Sequence, residues 1–399
     1  MSFILAMIEY KSAILFYSLI FLIVYLNRKK FEIHGRFIYL YKTKIGIRFM
    51  DLVAKKIPRL VRLTGYAGVA IGFIGMVAVF ILILLLAYKL LLNAPGAGGA
   101  SPVIPGLPIA GTGIVFPLIT GWIVLAIIIV VHEFSHGIVA RVYKIRVKNS
   151  GMAFFGPLLG AFVEPDEKKL SEERDIVQHS VFAAGPFANF LTVGVVLLLI
   201  LTIFNPAASA LTISTGVIVY SQPGFPAEKA GMGNNTLITG INGEDVSTID
   251  DFQRIMKDIK PNTTVNLKSN VTKYAITATE SPDDKSQGYI GVWIMGNNLR
   301  LRNDNSLNQI LFSIVSWFGQ MLGWLSFLSL NIGMINLLPI FITDGARMLK
   351  VFFNRIIHNE SRSKSLWIFV NWVSAFSLLI LVFLPFFKWI GTTLTNLLI

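Results

Sequence analysis

Long apolar stretches limit this chain more than any other feature of its sequence. A helix needs about 20 apolar residues to cross the hydrocarbon core of a bilayer. Hydrophobic residues make up 54% of the 399 positions and charged residues only 14%. This composition predicts a polytopic α-helical membrane protein in a lipid bilayer. We expect about six transmembrane helices, over residues 3–26, 64–92, 116–140, 180–204, 307–338 and 366–390.

The positive charge beside these stretches predicts their orientation. The loop 27–63 carries eleven Lys and Arg against two acids, and basic loops stay in the cytoplasm. The loop 93–115 has no charged residue, whereas the loops after the third and fifth stretches are basic. We therefore expect a multi-pass protein of the cell membrane with both termini outside. The net charge of +13 fits this topology, so we expect no nucleic-acid partner.

Two further regions depart from the helical pattern. Residues 205–300 alternate apolar and polar positions in short runs, with a turn signal at Asn242-Gly243. They predict a small, β-rich extracytoplasmic domain. Residues 151–163 are apolar but too short and Gly-rich to span a bilayer, so we expect a re-entrant β-hairpin facing a protein cavity. The predicted domains are 1–115, 116–204, 205–300 and 301–399, of which the second and fourth form the membrane core.

Three ionisable side chains interrupt the apolar stretch 116–140. His132 and His136 are four residues apart, so they share one helical face and can bind one metal ion. Glu133 is placed to act as general base toward an attacking water. Ionisable residues at membrane depth cost about 2.5–3.5 kcal/mol each on insertion scales, so they usually serve a function. At 1.5 Å per residue, His132 lies about 14 Å from Arg141, inside the hydrocarbon and toward the cytoplasmic side.

A catalytic zinc ion needs a third protein ligand, and the chain contains no cysteine. The candidates are Glu164, His179 and Asp344. Glu164 and His179 lie among charged residues, which favours solvent exposure. Asp344 follows the stretch 307–338, which is too long for a straight span and is expected to tilt or to break near Gly333 or Pro339. Asp344 could instead be a helix cap.

Two amides lie in or beside the apolar stretches. Asn189 and Asn336 could each donate a hydrogen bond to an oxyanion or hold a substrate backbone. The alternative is a hydrogen bond between helices, which is common for Asn in membranes.

These motifs together resemble the site-2 protease family of intramembrane zinc metalloproteases. The resemblance rests on HEFSH at 132–136, AGPFAN at 184–189 and NLLPIFITDG at 336–345. It implies one zinc ion bound by His132, His136 and Asp344, with Glu133 as base and Asn336 supporting the transition state. It also implies single-pass membrane proteins as substrates, cut after an earlier cleavage of their ectodomain. Residues 151–163 resemble the membrane-associated hairpin of that family, whose edge receives unwound substrate.

The predicted outer domain resembles the PDZ domains of bacterial-type proteases. The matching segments are SQPGFPAEKAGM, ITGINGEDV and a short helix after them. The resemblance implies a site for a peptide or a substrate ectodomain, and the alternative is a spacer or gate without a ligand.

Two functions of other classes remain open at this point. The intramembrane His, Glu and Asp residues could form the pathway of a metal or proton transporter, although the paired halves typical of transporters are not visible. The chain could also be a metal-free scaffold that presents the outer domain. Flux in liposomes would indicate the first of these, and purified protein without stoichiometric zinc would indicate the second.

Overall fold

A computed structural model describes residues 10–398 apart from 35–37, 95–98, 110–113, 156–157 and 283. The described helices, numbered in chain order, are α1 Lys11–Leu26, α2 Ile47–Lys56, α3 Pro58–Leu91, α4 Leu118–Val142, α5 Glu167–Glu172, α6 Asp175–Leu199, α7 Asn205–Leu211, α8 Pro226–Lys229, α9 Ile249–Lys257, α10 Ser306–Leu337, α11 Asp344–Ile356 and α12 Glu360–Leu398.

The described strands fall into three antiparallel sheets. They are β1 Glu32–His34, β2 Ile38–Thr43, β3 Val147–Phe155, β4 Leu158–Pro165, β5 Thr212–Ser221, β6 Thr236–Ile241, β7 Glu244–Asp245, β8 Thr264–Ser269, β9 Lys273–Thr277, β10 Thr279–Glu280, β11 Gly288–Tyr289 and β12 Val292–Leu301. The strand orders are β1-β2-β3-β4, β10-β11 and β12-β5-β6-β8-β9, with β7 paired to β6.

Five of the described helices are long and apolar enough to cross a membrane. They are α3, α4, α10, the 175–211 helix that contains α6 and α7, and α12 as far as Pro385. The expected sixth span is not established, because α1 has 16 residues and the predicted stretch begins outside the described part of the chain. α10 does not break at Gly333. It runs to Leu337 and ends before Pro339, whose ring disfavours helical backbone in the preceding residue.

The chain divides into two compact units, Met1–Leu199 with Gln320–Ile399, and Ile200–Gly319. In the first unit, α3 packs closely on its neighbours through small residues. Gly65, Gly68 and Gly72 lie on one face of α3, and a Cβ at these positions would approach Ser180, Phe187 and Met348, respectively. Small residues let membrane helices approach one another in this way, where no hydrophobic force drives them together.

The sheet of the first unit extends the expected hairpin. β3 and β4 pair antiparallel with Ser150 opposite Val163, so residues 151–155 and 158–163 do form strands. Whether they enter a membrane remains a prediction. β2 pairs with β3 along its whole length, which adds β1 and β2 to the hairpin. The sequence left open what the basic segment 27–63 does besides setting topology, and in the structure this segment supplies two of the four strands of the sheet.

The second unit contains the six-stranded sheet. Its core is made by alternate apolar residues, with Val217, Ile238, Val265, Leu267 and Ile276 almost fully buried. The short apolar runs expected from the sequence, 217–220, 237–241, 265–267 and 274–277, lie in β5, β6, β8 and β9. The turn at Asn242-Gly243 has positive φ at both residues, as a tight hairpin turn requires. α9 begins with a capping box in which Thr248 and Asp251 satisfy each other's backbone N–H groups. The unit is thus small and β-rich.

Candidate metal centre

Two helices bring the three metal-ligand candidates together. α4 carries His132 and His136 on one face, and α11 begins at Asp344, whose preceding residue Thr343 caps the helix by accepting from the Ala346 N–H. The Asp344 Oδ2 atom lies 3.2 Å from His132 Nε2 and 3.3 Å from His136 Nε2, and the two Nε2 atoms are 3.2 Å apart. Among the described residues, this trio is the group of three His, Asp or Glu side chains that could hold a metal ion.

These distances fit a tetrahedral metal site. Ligand atoms that each lie about 2.0–2.1 Å from a zinc ion in tetrahedral geometry are about 3.3 Å from one another. The observed separations of 3.2–3.3 Å between His132, His136 and Asp344 match that value. Three protein ligands of this kind leave the fourth position open, which is the arrangement of catalytic zinc sites.

The ring of His136 is oriented by a backbone carbonyl. Its Nδ1–H donates to the Val181 carbonyl of α6 at 2.6 Å, which leaves Nε2 with a lone pair toward the other ligands. Pro186 lies inside α6 and has no N–H for the carbonyl of Phe182, the residue that follows Val181. The carbonyl that His136 uses therefore lies next to the one that the proline leaves without its helical donor.

The ring of His132 contacts an amide of α6. Asn189 is fully buried, and its Nδ2 lies 3.2 Å from His132 Nδ1. Its Oδ1 is also buried and has no hydrogen-bond partner among the described residues. A half-turn of the amide places Oδ1 where it accepts from Nδ1–H, which satisfies both groups and frees His132 Nε2 for a metal.

Gly185 provides the space that the two rings occupy. A Cβ at this position would lie 2.4 Å from His136 Nε2 and 2.6 Å from His132 Nε2. Only glycine lets α6 approach the imidazoles this closely. Gly185 lies in the AGPFAN motif at 184–189, but the sequence pattern indicated no role for Gly185 or for the Val181 carbonyl. The signal for the close approach was the Gly-Pro pair inside a membrane helix, because small residues let membrane helices pack closely and proline removes a helical hydrogen bond nearby.

Glu133 contacts the sheet. Its Oε2 accepts a hydrogen bond from the Val163 N–H of β4 at 3.0 Å. This N–H points away from β3, and among the described residues β4 pairs with no other strand. The carboxylate therefore lies at the open edge of β4 and beside the two imidazoles.

The two other third-ligand candidates lie elsewhere. Glu164 accepts from Asn149 Nδ2 at 2.9 Å and lies 3.8 Å from Lys42 Nζ, so it belongs to the sheet. His179 was expected to be exposed, and that expectation was wrong. It is 7% exposed and packs edge-on against Phe73, because α6 turns this face toward α3 rather than toward solvent.

A cavity of about 810 Å³ extends from the site to Asp175 at the start of α6 and Arg355 near the end of α11. Its inner wall contains the three ligand candidates, Glu133 and Asn336, whose amide donates to the Ile332 carbonyl one turn earlier. Its rim contains an ion pair between Asp175 and Arg355 at 3.7 Å. The volume is in the range of ligand pockets, so water and a peptide segment have room beside the candidate ligands.

Comparisons with known proteins agree with this chemistry. Residues 120–381 match the model of Peptidase family M50. The chain is 26% identical over 353 residues to an uncharacterised protein of Methanocaldococcus jannaschii, covering 86% of each chain. It is also 26% identical over 212 residues to the zinc metalloprotease RasP of Oceanobacillus iheyensis, covering 42% of this chain and 49% of RasP.

Proposed function

Because the chain belongs to Peptidase family M50, the site-2 protease family of zinc metallopeptidases, we propose that it hydrolyses peptide bonds within the membrane segments of single-pass membrane proteins. The observation that carries the proposal is the convergence of two imidazoles and a carboxylate, 3.2–3.3 Å apart, beside the carboxylate of Glu133. All four side chains line one cavity.

One zinc ion is the cofactor that this donor set fits. His132 and His136 would bind it through Nε2 and Asp344 through Oδ2. When bound, zinc supplies Lewis-acid chemistry and makes water a nucleophile at neutral pH. The Val181 carbonyl and the Asn189 amide hold the two imidazoles in the orientation that this binding needs.

Glu133 moves the protons of the reaction. Its carboxylate takes a proton from the attacking water and returns it to the amine of the leaving product. The hydrogen bond from the Val163 N–H fixes one carboxylate oxygen, and we assign the proton transfers to the other. Asn336 lines the same cavity, and its amide is the side-chain donor that we assign to the developing oxyanion.

The open edge of β4 is proposed to hold the substrate. A helical substrate hides its amide groups in internal hydrogen bonds, so it must unwind before it is cut. The freed strand can then pair with β4, since main-chain hydrogen bonds at a sheet edge bind extended peptides. Because Glu133 contacts this edge at Val163, the paired strand passes beside the catalytic carboxylate.

The wider organisation of the proposal follows the predicted topology. Six spans place the site within the membrane and toward the cytoplasm, and the β-rich unit outside. This unit is proposed to be PDZ-like and to admit substrates whose ectodomain an earlier protease has shortened, either by binding a peptide or by restricting access.

The experiment that tests the function compares Glu133→Gln with Glu172→Gln, an exposed acid outside the cavity. Both variants are reconstituted with a membrane-embedded reporter, and cleavage and zinc content are measured. General-base catalysis contributes about 10²–10⁴-fold, so Glu133→Gln should lose that much activity while it keeps one zinc ion per chain. Cleavage at the wild-type rate would show that the mechanism is wrong.

A further inference from the structure

The segment 44–63 carries an excess of exposed positive charge beside the membrane core. Its exposed cations are Lys44, Arg48, Lys55, Lys56, Arg59 and Arg62. Its single acid, Asp51, is engaged by the guanidinium of Arg141 on α4. No ion pair with any of the six cations is present among the described residues. A surface this basic attracts an anionic partner.

Helix α2, within this segment, has three distinct faces. Met50 and Ala54 are buried against the membrane core. Leu52 is 51% exposed and at 100° per residue lies opposite that buried face, and Phe49, which is 54% exposed, lies between Leu52 and the contact with Phe134. Arg48 and Lys55 lie between the two, seven residues apart on a common side. A helix with one apolar and one basic exposed face is suited to the boundary between lipid tails and headgroups.

An apolar cavity of about 200 Å³ lies next to these cations, where the junction of α2 and α3 meets α4 and α6. Its two hydroxyls are occupied, since Thr64 donates to the Val61 carbonyl at 2.9 Å and Ser135 to the Val131 carbonyl at 2.7 Å. The cavity therefore offers no free hydroxyl donor and suits a hydrocarbon occupant. Ile57 and Leu60, which are 44% and 53% exposed, form its outer wall.

We propose that the apolar cavity and the cations beside it form a binding site for one anionic phospholipid. Part of an acyl chain occupies the cavity, and the headgroup phosphate lies among Lys55, Lys56 and Arg59, which are chain neighbours of Ile57 and Leu60. Clusters of four to eight Lys and Arg beside a membrane helix are typical of anionic-lipid sites. The match of positive charge with an adjacent hydrocarbon cavity favours a phospholipid over a soluble anion, which would use only the charge.

The site is continuous with the helix that carries His132 and His136. Ser135 and Val139 of α4 form part of the cavity wall. α2 also packs on α4, with the Phe49 and Phe134 rings 6.3 Å apart and Met50 close to Gly137. A bound lipid would therefore contact α4 on the side next to the face that carries the metal-ligand candidates.

The test uses the absence of cysteine from the chain. A single Leu63→Cys substitution, at a position 63% exposed, is labelled with bimane. The full-length protein is placed in nanodiscs of phosphatidylcholine and phosphatidylglycerol at 4:1, with chain-brominated lipid in either class. Brominated phosphatidylglycerol should quench the bimane fluorescence at least about twofold more per lipid molecule than brominated phosphatidylcholine. Raising KCl from 0.1 to 1 M should reduce this preference for phosphatidylglycerol, because the higher salt concentration shortens the Debye length from about 10 to about 3 Å.

Three variants separate charge from cavity. Replacing Lys55, Lys56, Arg59 and Arg62 by Gln should abolish the preference, whereas replacing Lys257, Lys260, Lys268 and Lys273, four exposed lysines of the other unit, should leave it unchanged. Thr64→Phe fills the cavity and keeps every cation, so it should also remove the preference.

Equal quenching by both lipids in the wild type would overturn the proposal. A preference that survives Thr64→Phe would show that the cations act without the cavity, and the site as stated would be wrong. Since no arm measures proteolysis, these outcomes are independent of the proposed enzymatic function.

Discussion

Replacing Asn189 by Leu should weaken zinc binding although Asn189 is not one of the three ligand candidates. Its amide lies 3.2 Å from His132 Nδ1 and is fully buried. A leucine cannot accept the Nδ1–H that remains when Nε2 binds a metal, so this donor would be buried without a partner. That loss costs about 1–3 kcal/mol, or about 5- to 150-fold in affinity. The range agrees with the 10- to 100-fold effects typical of groups that orient metal ligands.

The measurement is a zinc competition titration against a chromophoric chelator, with full-length protein in detergent. Asn371→Leu is the matched control. Asn371 is also a fully buried amide of a membrane helix, and its Oδ1 likewise has no partner among the described residues. The Asn371→Leu variant should lower the free energy of unfolding but leave the zinc Kd unchanged.

Asn189→Asp refines the same prediction. It keeps an acceptor at His132 Nδ1 and adds a negative charge, which raises the basicity of the ligand. Zinc affinity should therefore equal or exceed that of the wild type. A Kd for Asn189→Leu within about twofold of the wild type would refute the reasoning, because the His132 orientation would then not depend on this amide.

Three further predictions follow from single contacts. Gly185→Ala should reduce zinc content and cleavage together, because the added Cβ would lie 2.4 Å from His136 Nε2; normal zinc content by elemental analysis would contradict this. Val163→Pro removes the N–H that holds Glu133 but no ladder bond to β3, so kcat should fall about tenfold or more with zinc retained, and Val163→Ala should cleave normally. In α9, hydrogen bonds from the Thr248 hydroxyl and from the Thr248 and Ser247 N–H groups lower the pKa of Asp251. The charged Asp251 carboxylate therefore stabilises the folded state fully above the pKa of about 3.9 that an Asp has in the unfolded chain. This stabilisation is lost as the pH falls through the lower pKa that Asp251 has in the folded state. Asp251→Ala should lower hydrogen-exchange protection of 249–257 at pH 7 and flatten its acid dependence, and an unchanged profile would disprove the assignment.

The local sequence pattern was sufficient to predict many of the helices and strands of this protein. Length and hydropathy identified the five long apolar helices, and the four-residue spacing of His132 and His136 placed both imidazoles on one face of α4. Alternation and turn chemistry located the strands of the β-rich unit, including the turn at Asn242-Gly243. These features depend on the chain's own periodicity, so neighbouring residues contain all the information they need.

Contacts between distant segments depended on the tertiary structure. Asp344 is 212 residues from His132, and the residue pattern favoured it over Glu164 and His179 without showing that it meets the histidines. The exposure of His179 was predicted wrongly because nearby charges in the sequence do not show which face of α6 turns inward. The pairing of β2 with β3, the Val163 N–H on Glu133 and the space at Gly185 are contacts of the same kind.

The two kinds of feature differ because one depends on residues close together in the chain and the other on contacts between distant segments. Hydrophobic periodicity is a property of a single element and is present before the element packs. The position of a ligand or a hydrogen-bond partner depends on which faces of α4, α6 and α11 meet, and many packings satisfy the same apolar pattern. The sequence by itself therefore determined the elements and the type of chemistry, and the packing of these helices and of the four-stranded sheet decided which side chains share the site.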